Sequence, residues 1–351
     1  MARRVLGPLC AALFASVAAS AQEVWVFDGL AGARVTTLAV APSRPVLWYA
    51  GAESGEVFRF DAELDPVWRT ASSGLPGAPV RALAVHPFDP LRVFAGTDDG
   101  IFRSLDAGAS WELSGTGFPG PAVALAIDPL DPATVWASAR SEPGPLLHLF
   151  RSVDGGSVWE AVTIQGPAFA TPSFGWVVAL AFRPGTSILF AGWHDVVFFT
   201  SGGLGWDLYP DFLAEVLAVT PDPFDPDRIH IGTQGRGAGW SVDNRAPWSF
   251  GAGLEGTVVP ALTADPARPG VFYAVSGDAV FRSIDHGATW SAVGQPLNSP
   301  GALAVSPDGL AIRVATENGI RRLADGSPVA PRGAVEGVPR TPTTTLVEPR
   351  D

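Results

Sequence analysis

The sequence predicts an all-β fold, a seven-bladed β-propeller of four-stranded antiparallel blades closed by its N-terminal strand, and three observations predict it. A leucine-centred phrase recurs at blade-length spacing. A Ser-x-Asp-x-Gly-x-x-Trp turn recurs inside that repeat. The stretch before the first repeat matches the end of a blade, not its beginning. Composition agrees: 40 Gly and 33 Pro in 351 residues would interrupt helices but suit short strands joined by many turns. An apolar fraction of 47% with 17% charged residues allows a large core.

The phrase occurs as Leu38-Ala39-Val40, Leu83-Ala84-Val85, Leu125-Ala126-Ile127, Leu180-Ala181-Phe182, Leu217-Ala218-Val219, Leu262-Thr263-Ala264 and Leu303-Ala304-Val305, at spacings of 45, 42, 55, 37, 45 and 41 residues. In the second unit, VRALAVHPFDPLRVFAGTDDGIFRSLDAGASWELSG (Val80 to Gly115), four β-rich runs alternate with turn formers, which predicts an antiparallel meander. Prolines fall just after the first run (Pro42, Pro87, Pro129, Pro184, Pro221, Pro266, Pro307), where a missing N–H breaks no ladder.

Ring closure has its own signal. EVWVFDGLAGARVTTLAV lines up with SWELSGTGFPGPAVALAI, so Val24 to Phe27 reads as a fourth strand without a blade of its own. The seventh unit shows three strands and then fades, so the N-terminal strand is expected to complete it and remove the open edge.

The ends are expected to lie outside the propeller. Arg3 and Arg4, an apolar run from Val5 to Ala18, and Ala19-Ser20-Ala21 form a secretory signal expected to be cleaved after Ala21. Cys10, the one cysteine, lies inside it, so the mature chain has neither disulfide nor thiolate chemistry. No later segment is long and apolar enough to span a bilayer, and a secreted or periplasmic protein is expected. The domains expected are 1–21 signal, 22–323 propeller and 324–351 a disordered tail of Pro, Arg, Thr and Gly. The net charge of −12, with all 23 basic residues arginine, argues against nucleic acid as a partner.

The turn motif is intact at Ser104, Asp106, Gly108 and Trp111, at Ser152, Asp154, Gly156 and Trp159, and at Ser283, Asp285, Gly287 and Trp290. A fourth copy has Ser241, Asp243 and Trp248 with Arg245 in place of glycine, and blades one and four carry eroded forms ending at Trp68 and Trp206. Asp suits acceptance of amide hydrogen bonds in a tight turn, Gly a positive φ, and Trp burial against the blade, so the motif reads as structural. These residues resemble the Asp-box (BNR) repeat propellers, a group that includes bacterial sialidases, family 74 xyloglucanases, sortilin-type receptor domains and photosystem II assembly factors of the Ycf48 type. HPFDPLRVFAGTDDGIFRSLDAGASW and ADPARPGVFYAVSGDAVFRSIDHGATW are most similar to the xyloglucanase, sortilin and assembly-factor repeats. The resemblance implies the fold from about Glu23 to Leu323 and leaves the chemistry open.

Enzymatic readings find little support. A sialidase would need an Arg-Ile-Pro phrase, which is absent, and a nucleophilic tyrosine, whereas Tyr49 and Tyr273 sit in second-strand phrases that suit packing. A xyloglucanase sets paired carboxylates in a cleft between two propellers, and this chain has length for one. Because strands alternate direction, the Asp-box turns and the HPFDP-type turns share one face, and sites are expected on the other. PDPFDPDR, with Asp222, Asp225 and Asp227, therefore reads as turn chemistry and not as a calcium loop.

On the expected site face, blade three inserts SARSEPGPLLHLF, with Arg140, Glu142 and His148, and a long connection ending at Trp176. Blade four offers Trp193, His194 and Asp195, and blade five offers Gln234, Arg236 and Trp240 in a Gly-rich loop. These groups suit an anionic, carbohydrate or peptide ligand. No spacing places a nucleophile, a metal-ligand set or a cofactor motif. The expectation is a monomeric, noncatalytic interaction scaffold for a protein or glycan ligand, without metal or cofactor. The alternative is a carbohydrate-active hydrolase or lyase using loop carboxylates.

Overall fold

The computed structural model describes residues 23–140, 149–162, 177–193, 196–201, 205–208, 214–242 and 247–324. The expected signal segment with Cys10 and the tail beyond Ala324 lie outside the described residues.

The described chain is a ring of seven four-stranded antiparallel sheets. Strand β1 (Val24–Gly29) comes first and is placed last. Blade one is β2 (Val35–Val40), β3 (Leu47–Ala52), β4 (Val57–Asp61) and β5 (Asp65–Thr70); blade two is β6 (Val80–Val85), β7 (Val93–Thr97), β8 (Gly100–Ser104) and β9 (Glu112–Leu113). Blade three is β10 (Ala122–Ile127), β11 (Val135–Ala139), β12 (Leu149–Ser152) and β13 (Glu160–Val162); blade four is β14 (Val177–Phe182), β15 (Ile188–Trp193), β16 (Val196–Ser201) and β17 (Asp207–Leu208). Blade five is β18 (Val216–Pro221), β19 (Arg228–Thr233), β20 (Ala238–Val242) and β21 (Ser249–Phe250); blade six is β22 (Ala261–Ala264), β23 (Phe272–Ser276), β24 (Ala279–Ser283) and β25 (Ser291–Val293). Blade seven is β26 (Leu303–Val305), β27 (Ile312–Thr316) and β28 (Gly319–Ala324), completed by β1.

The recurring leucine phrase forms the innermost strand of each blade, and these strands line a central cavity of about 430 Å³. A bulge near the start of the inner strand recurs at Val35/Thr37, Val80/Ala82, Ala122/Ala124, Val177/Ala179 and Val216/Ala218, which bends these strands where they enter the ring. Second strands are the most buried: every residue of β3, β7, β11, β23 and β27 is buried. Continuous burial explains why these strands are mostly apolar without strict alternation, Arg313 of β27 being the charged exception.

The hydrophobic core lies between blades. Tyr49 and Val57 of blade one cluster with Val93, Phe102 and Trp111 of blade two, and Phe94 and Ile101 of blade two with Val135 and Trp159 of blade three. Closure follows the same rule. Trp25 of β1 packs among Val271, Tyr273 and Val293 of blade six and Val314 and Leu323 of blade seven, and its indole N–H donates to Val293 O at 2.8 Å. Strand β1 pairs with β28 in the register Val24↔Ala324 to Phe27↔Arg321, so the first and last described strands share one sheet and blade seven has four strands like the others.

One position on the second strand faces the next blade. It is Tyr49, Phe94, Trp136, Phe190, His230 and Tyr273 in blades one to six, paired on the third strand with Arg59, Arg103, Arg151, Phe199, Trp240 and Arg282. In blade seven the same position is Arg313, paired with Arg322. Its guanidinium sits 4.3 Å from the ring centroids of both Trp48 and Phe60 of blade one. Its Nε donates to Asp28 of β1 at 2.6 Å, and Arg322 reaches the other oxygen of that carboxylate at 3.5 Å.

Candidate functional site

The Asp-box face is built of hydrogen-bonded turns. Ser104 Oγ donates to Asp106 Oδ1 and accepts the Gly108 amide, each at 2.8 Å, while Asp106 Oδ1 accepts the Ser110 amide at 2.8 Å. Blade three repeats this with Ser152, Asp154, Gly156 and Val158, and blade six with Ser283, Asp285, Gly287 and Thr289. The three glycines have φ of 83°, 84° and 85°, as the motif requires. The indoles are buried and donate to backbone: Trp111 to Ala71 O, Trp159 to Ser114 O, and Trp290 to Gly287 O. In the eroded copies the indole nitrogens of Trp68 and Trp206 are buried with no acceptor among the described residues. Ser241 and half-buried Trp248 of the fourth copy are described; Asp243 is outside the described residues.

Parity places these turns as expected. The Asp-box turn and the first-to-second-strand turn of the same blade touch through Ala107 N to Leu91 O, Gly155 N to Ala133 O and His286 N to Gly270 O. Asp222 Oδ1 accepts the amides of Phe224 and Asp225, and Asp225 accepts that of Asp227, so PDPFDPDR is a hydrogen-bonded turn. Asp222 is buried, and its second oxygen meets His286 Nδ1 of blade six at 3.0 Å.

The opposite face is made by the second-to-third-strand loops. Arg140 follows β11 directly, is exposed, and bonds through its amide to Pro121 O at 2.8 Å. Arg236 lies in the tight turn between β19 and β20, its amide bonded to Thr233 Oγ1 at 3.1 Å and its guanidinium 4.3 Å from the Phe250 ring centroid. Trp193 ends β15, but its side chain is 8% exposed and stacked on Phe198 at 5.7 Å. Trp240, expected in the same loop as Arg236, lies within β20 opposite His230, where it packs toward Gly287 of the next blade. His148, Trp176, His194 and Asp195 lie outside the described residues. Arg140, Trp193 and Arg236 thus stand at the same end of the second strands of three consecutive blades.

A charge cluster that the repeat pattern did not single out lies on this face. Arg81, second residue of inner strand β6 and a wall of the central cavity, donates to Glu53 of blade one at 3.0 Å and doubly to Asp98 at 2.9 and 2.8 Å. The Arg81 hydrogen bonds hold the Asp98 carboxyl below its ordinary range, and Arg140 of blade three adds to the same field. The signal was present as an acid just after the second strand in GAESG and GTDDG, and as an arginine entering VRALAV. A general acid needs a carboxyl held above its ordinary range. Asp65, Asp98, Asp106, Asp154, Asp285 and Asp308 are all held below it, by arginines or by turn donors. Tyr49 and Tyr273 are fully buried, and burial pushes both phenols upward, which suits packing and not nucleophilic attack.

No family model matches the chain. A xyloglucanase from Paenibacillus sp is 30% identical over 123 residues, which is 30% of this chain but 12% of that protein. A family 74 xyloglucanase from Xanthomonas campestris superposes with a TM-score of 0.67 at 17% identity, over 86% of this chain and 53% of that one. YCF48 from Cyanidioschyzon merolae superposes with a TM-score of 0.63 at 15% identity, over 86% of this chain and 98% of that one. A structure of YCF48 bound to a D1 peptide matches with the same TM-score over 96% of its length. The chain therefore spans a small part of the curated xyloglucanase and about half of the solved one. With its repeated turn geometry and its closed ring, the chain is an Asp-box seven-bladed β-propeller, similar in fold to family 74 xyloglucanases and to YCF48.

Proposed function

We propose that this protein is an exported, noncatalytic interaction scaffold that binds a polypeptide partner on the face of its second-to-third-strand loops, around blades three to five. The observation that carries this reading is the state of the carboxylates. Among the described residues, the carboxyls with shifted pKa are all held down by hydrogen bonds from arginines or from their own turns, which suits recognition and leaves none of these poised to give up a proton. Exposed Arg140 and the Phe250-stacked Arg236 present fixed positive charge beside the Arg81, Glu53 and Asp98 cluster, a pattern able to read backbone and carboxylate groups of a peptide. YCF48, similar in fold along nearly its whole length, has been solved with a peptide bound.

A second reading, a carbohydrate-active enzyme, is favoured by the local identity to a xyloglucanase. One experiment separates them: peptide and oligosaccharide arrays with the chain from Gln22, the Arg140→Ala/Arg236→Ala variant, and a reducing-end assay on xyloglucan. Peptide binding at least tenfold weaker in the variant supports the scaffold. Equal binding by both proteins, or no peptide binding, overturns it, and release of reducing ends establishes the enzyme.

A further inference from the structure

The Asp-box face carries a second pattern, independent of the loop face. Its turns set a large apolar side chain beside an acid: Glu63-Leu64 in blade one, Leu105-Asp106 in blade two, Leu130-Asp131 and Val153-Asp154 in blade three, Ile284-Asp285 in blade six, and Leu310 two residues from Asp308 in blade seven. These six apolar side chains are between 58% and 83% exposed. Turn tips are ordinarily polar, and single exposed apolar residues call for no explanation, but the same pair repeated around one face of a ring does.

The charge of this face leans acidic. Ser110 and Ser104 hold Asp106 below the ordinary carboxylate range, Val158 N and Ser152 do so for Asp154, and Ser306 and Leu310 N for Asp308. At Asp285 partial burial works upward and is outweighed by Thr289 and Ser283. All four are ionised near neutral pH. The arginines of the same turns are committed locally: Arg44 to Glu63, Arg92 to Asp89, Arg228 to Asp225, and Arg268 to Asp265. The face is therefore apolar and anionic together. Two copies placed face to face would oppose like charges, and an anionic bilayer would be repelled.

We propose that the Asp-box face is a docking surface for a polypeptide segment in which arginine or lysine alternates with large apolar side chains. Except in blade one, where Arg44 already holds Glu63, each of these turns offers an apolar contact and, one or two residues away, a carboxylate for a guanidinium or ammonium. The seam between blades seven and one adds a recess of about 410 Å³ on the same face, lined by Leu310, Asp308, Trp48 and Phe60, whose arginines are already held, Arg44 by Glu63 and Arg313 and Arg322 by Asp28. This goes beyond the loop-face reading and does not depend on it.

The test is selection of phage-displayed random peptides on the propeller, followed by fluorescence anisotropy with the enriched peptides. Three proteins are compared: the unaltered chain, Leu105→Ser/Leu130→Ser/Ile284→Ser, and the loop-face variant Arg140→Ala/Arg236→Ala. The three serine substitutions are at exposed turn positions, and circular dichroism checks the fold. The expected result is a set of peptides carrying both basic and large apolar residues. These bind at least tenfold more weakly to the serine variant, bind the loop-face variant unchanged, and weaken between about 50 and about 500 mM salt as charge screening grows. No enrichment, peptides lacking either residue class, or equal binding to the serine variant overturns the proposal. Binding lost in the loop-face variant instead supports the other site and overturns this one.

Discussion

Removing the Trp25 indole tests ring closure directly, because the indole is the largest side chain that β1 buries, beside its ladder to β28, the Asp28 ion pairs and the Gln295 hydrogen bonds. Trp25 is 3% exposed, its indole N–H donates to Val293 O at 2.8 Å, and its backbone N–H and C=O both bond to the Gln295 side chain. Truncating a buried tryptophan to alanine costs about 3–5 kcal/mol, and the Val293 carbonyl left without its donor falls within the upper part of that range. In a domain of this size each kcal/mol lowers the melting temperature by about 2 °C or more, so Trp25→Ala should lower Tm by on the order of 10 °C. Trp25→Phe keeps much of the apolar area without the N–H and should fall between. Differential scanning calorimetry and circular dichroism melts of the three proteins provide the measurement. A Trp25→Ala melt within about 2 °C of the unaltered chain would refute closure by β1, since a strand contributing that little is not holding the ring.

Three further outcomes follow from the turns and the seam. Gly156→Ala should cost about 1–3 kcal/mol in urea unfolding, because a Cβ there lies 2.5 Å from Ser114 Oγ and 2.7 Å from the Phe94 ring, on a backbone with φ of 84°; an unchanged midpoint would contradict this packing. Asp98, Asp106, Asp154 and Asp308 have folded pKa values below their unfolded ones. Their contribution is therefore present above the unfolded value and lost as pH falls through the folded values, so Tm should hold down to about pH 5 and drop below about pH 4; a Tm constant to about pH 3 would contradict it. Arg313→Met should destabilise by about 2–3 kcal/mol, because the arginine is 5% exposed at its side chain and its loss leaves Asp28 with Arg322 alone at 3.5 Å. Adding Asp28→Asn should recover part of that loss, and a neutral or stabilising Arg313→Met would show that the seam is held by its aromatic packing.

Spacing along the chain was enough to determine the seven units, the Asp-box turns, the placement of β1 and the structural role of Tyr49 and Tyr273. These are local or strictly repeated features. Ser104, Asp106, Gly108 and Trp111 satisfy one another or the adjoining blade within a few residues, and each repeat restates the turn chemistry. Tertiary structure alone decided what meets across blades. Arg81 gathers Glu53 and Asp98 from 28 and 17 residues away, Arg313 takes the slot that other blades fill with a ring, and Asp222 meets His286 from 64 residues away. Trp240 reads from sequence as a loop residue, yet the register of β20 carries it into the seam beside Gly287. The physical reason is that a repeat encodes the backbone of its own blade. Contacts between blades arise from side chains whose partners are fixed when the ring closes and its shared core packs.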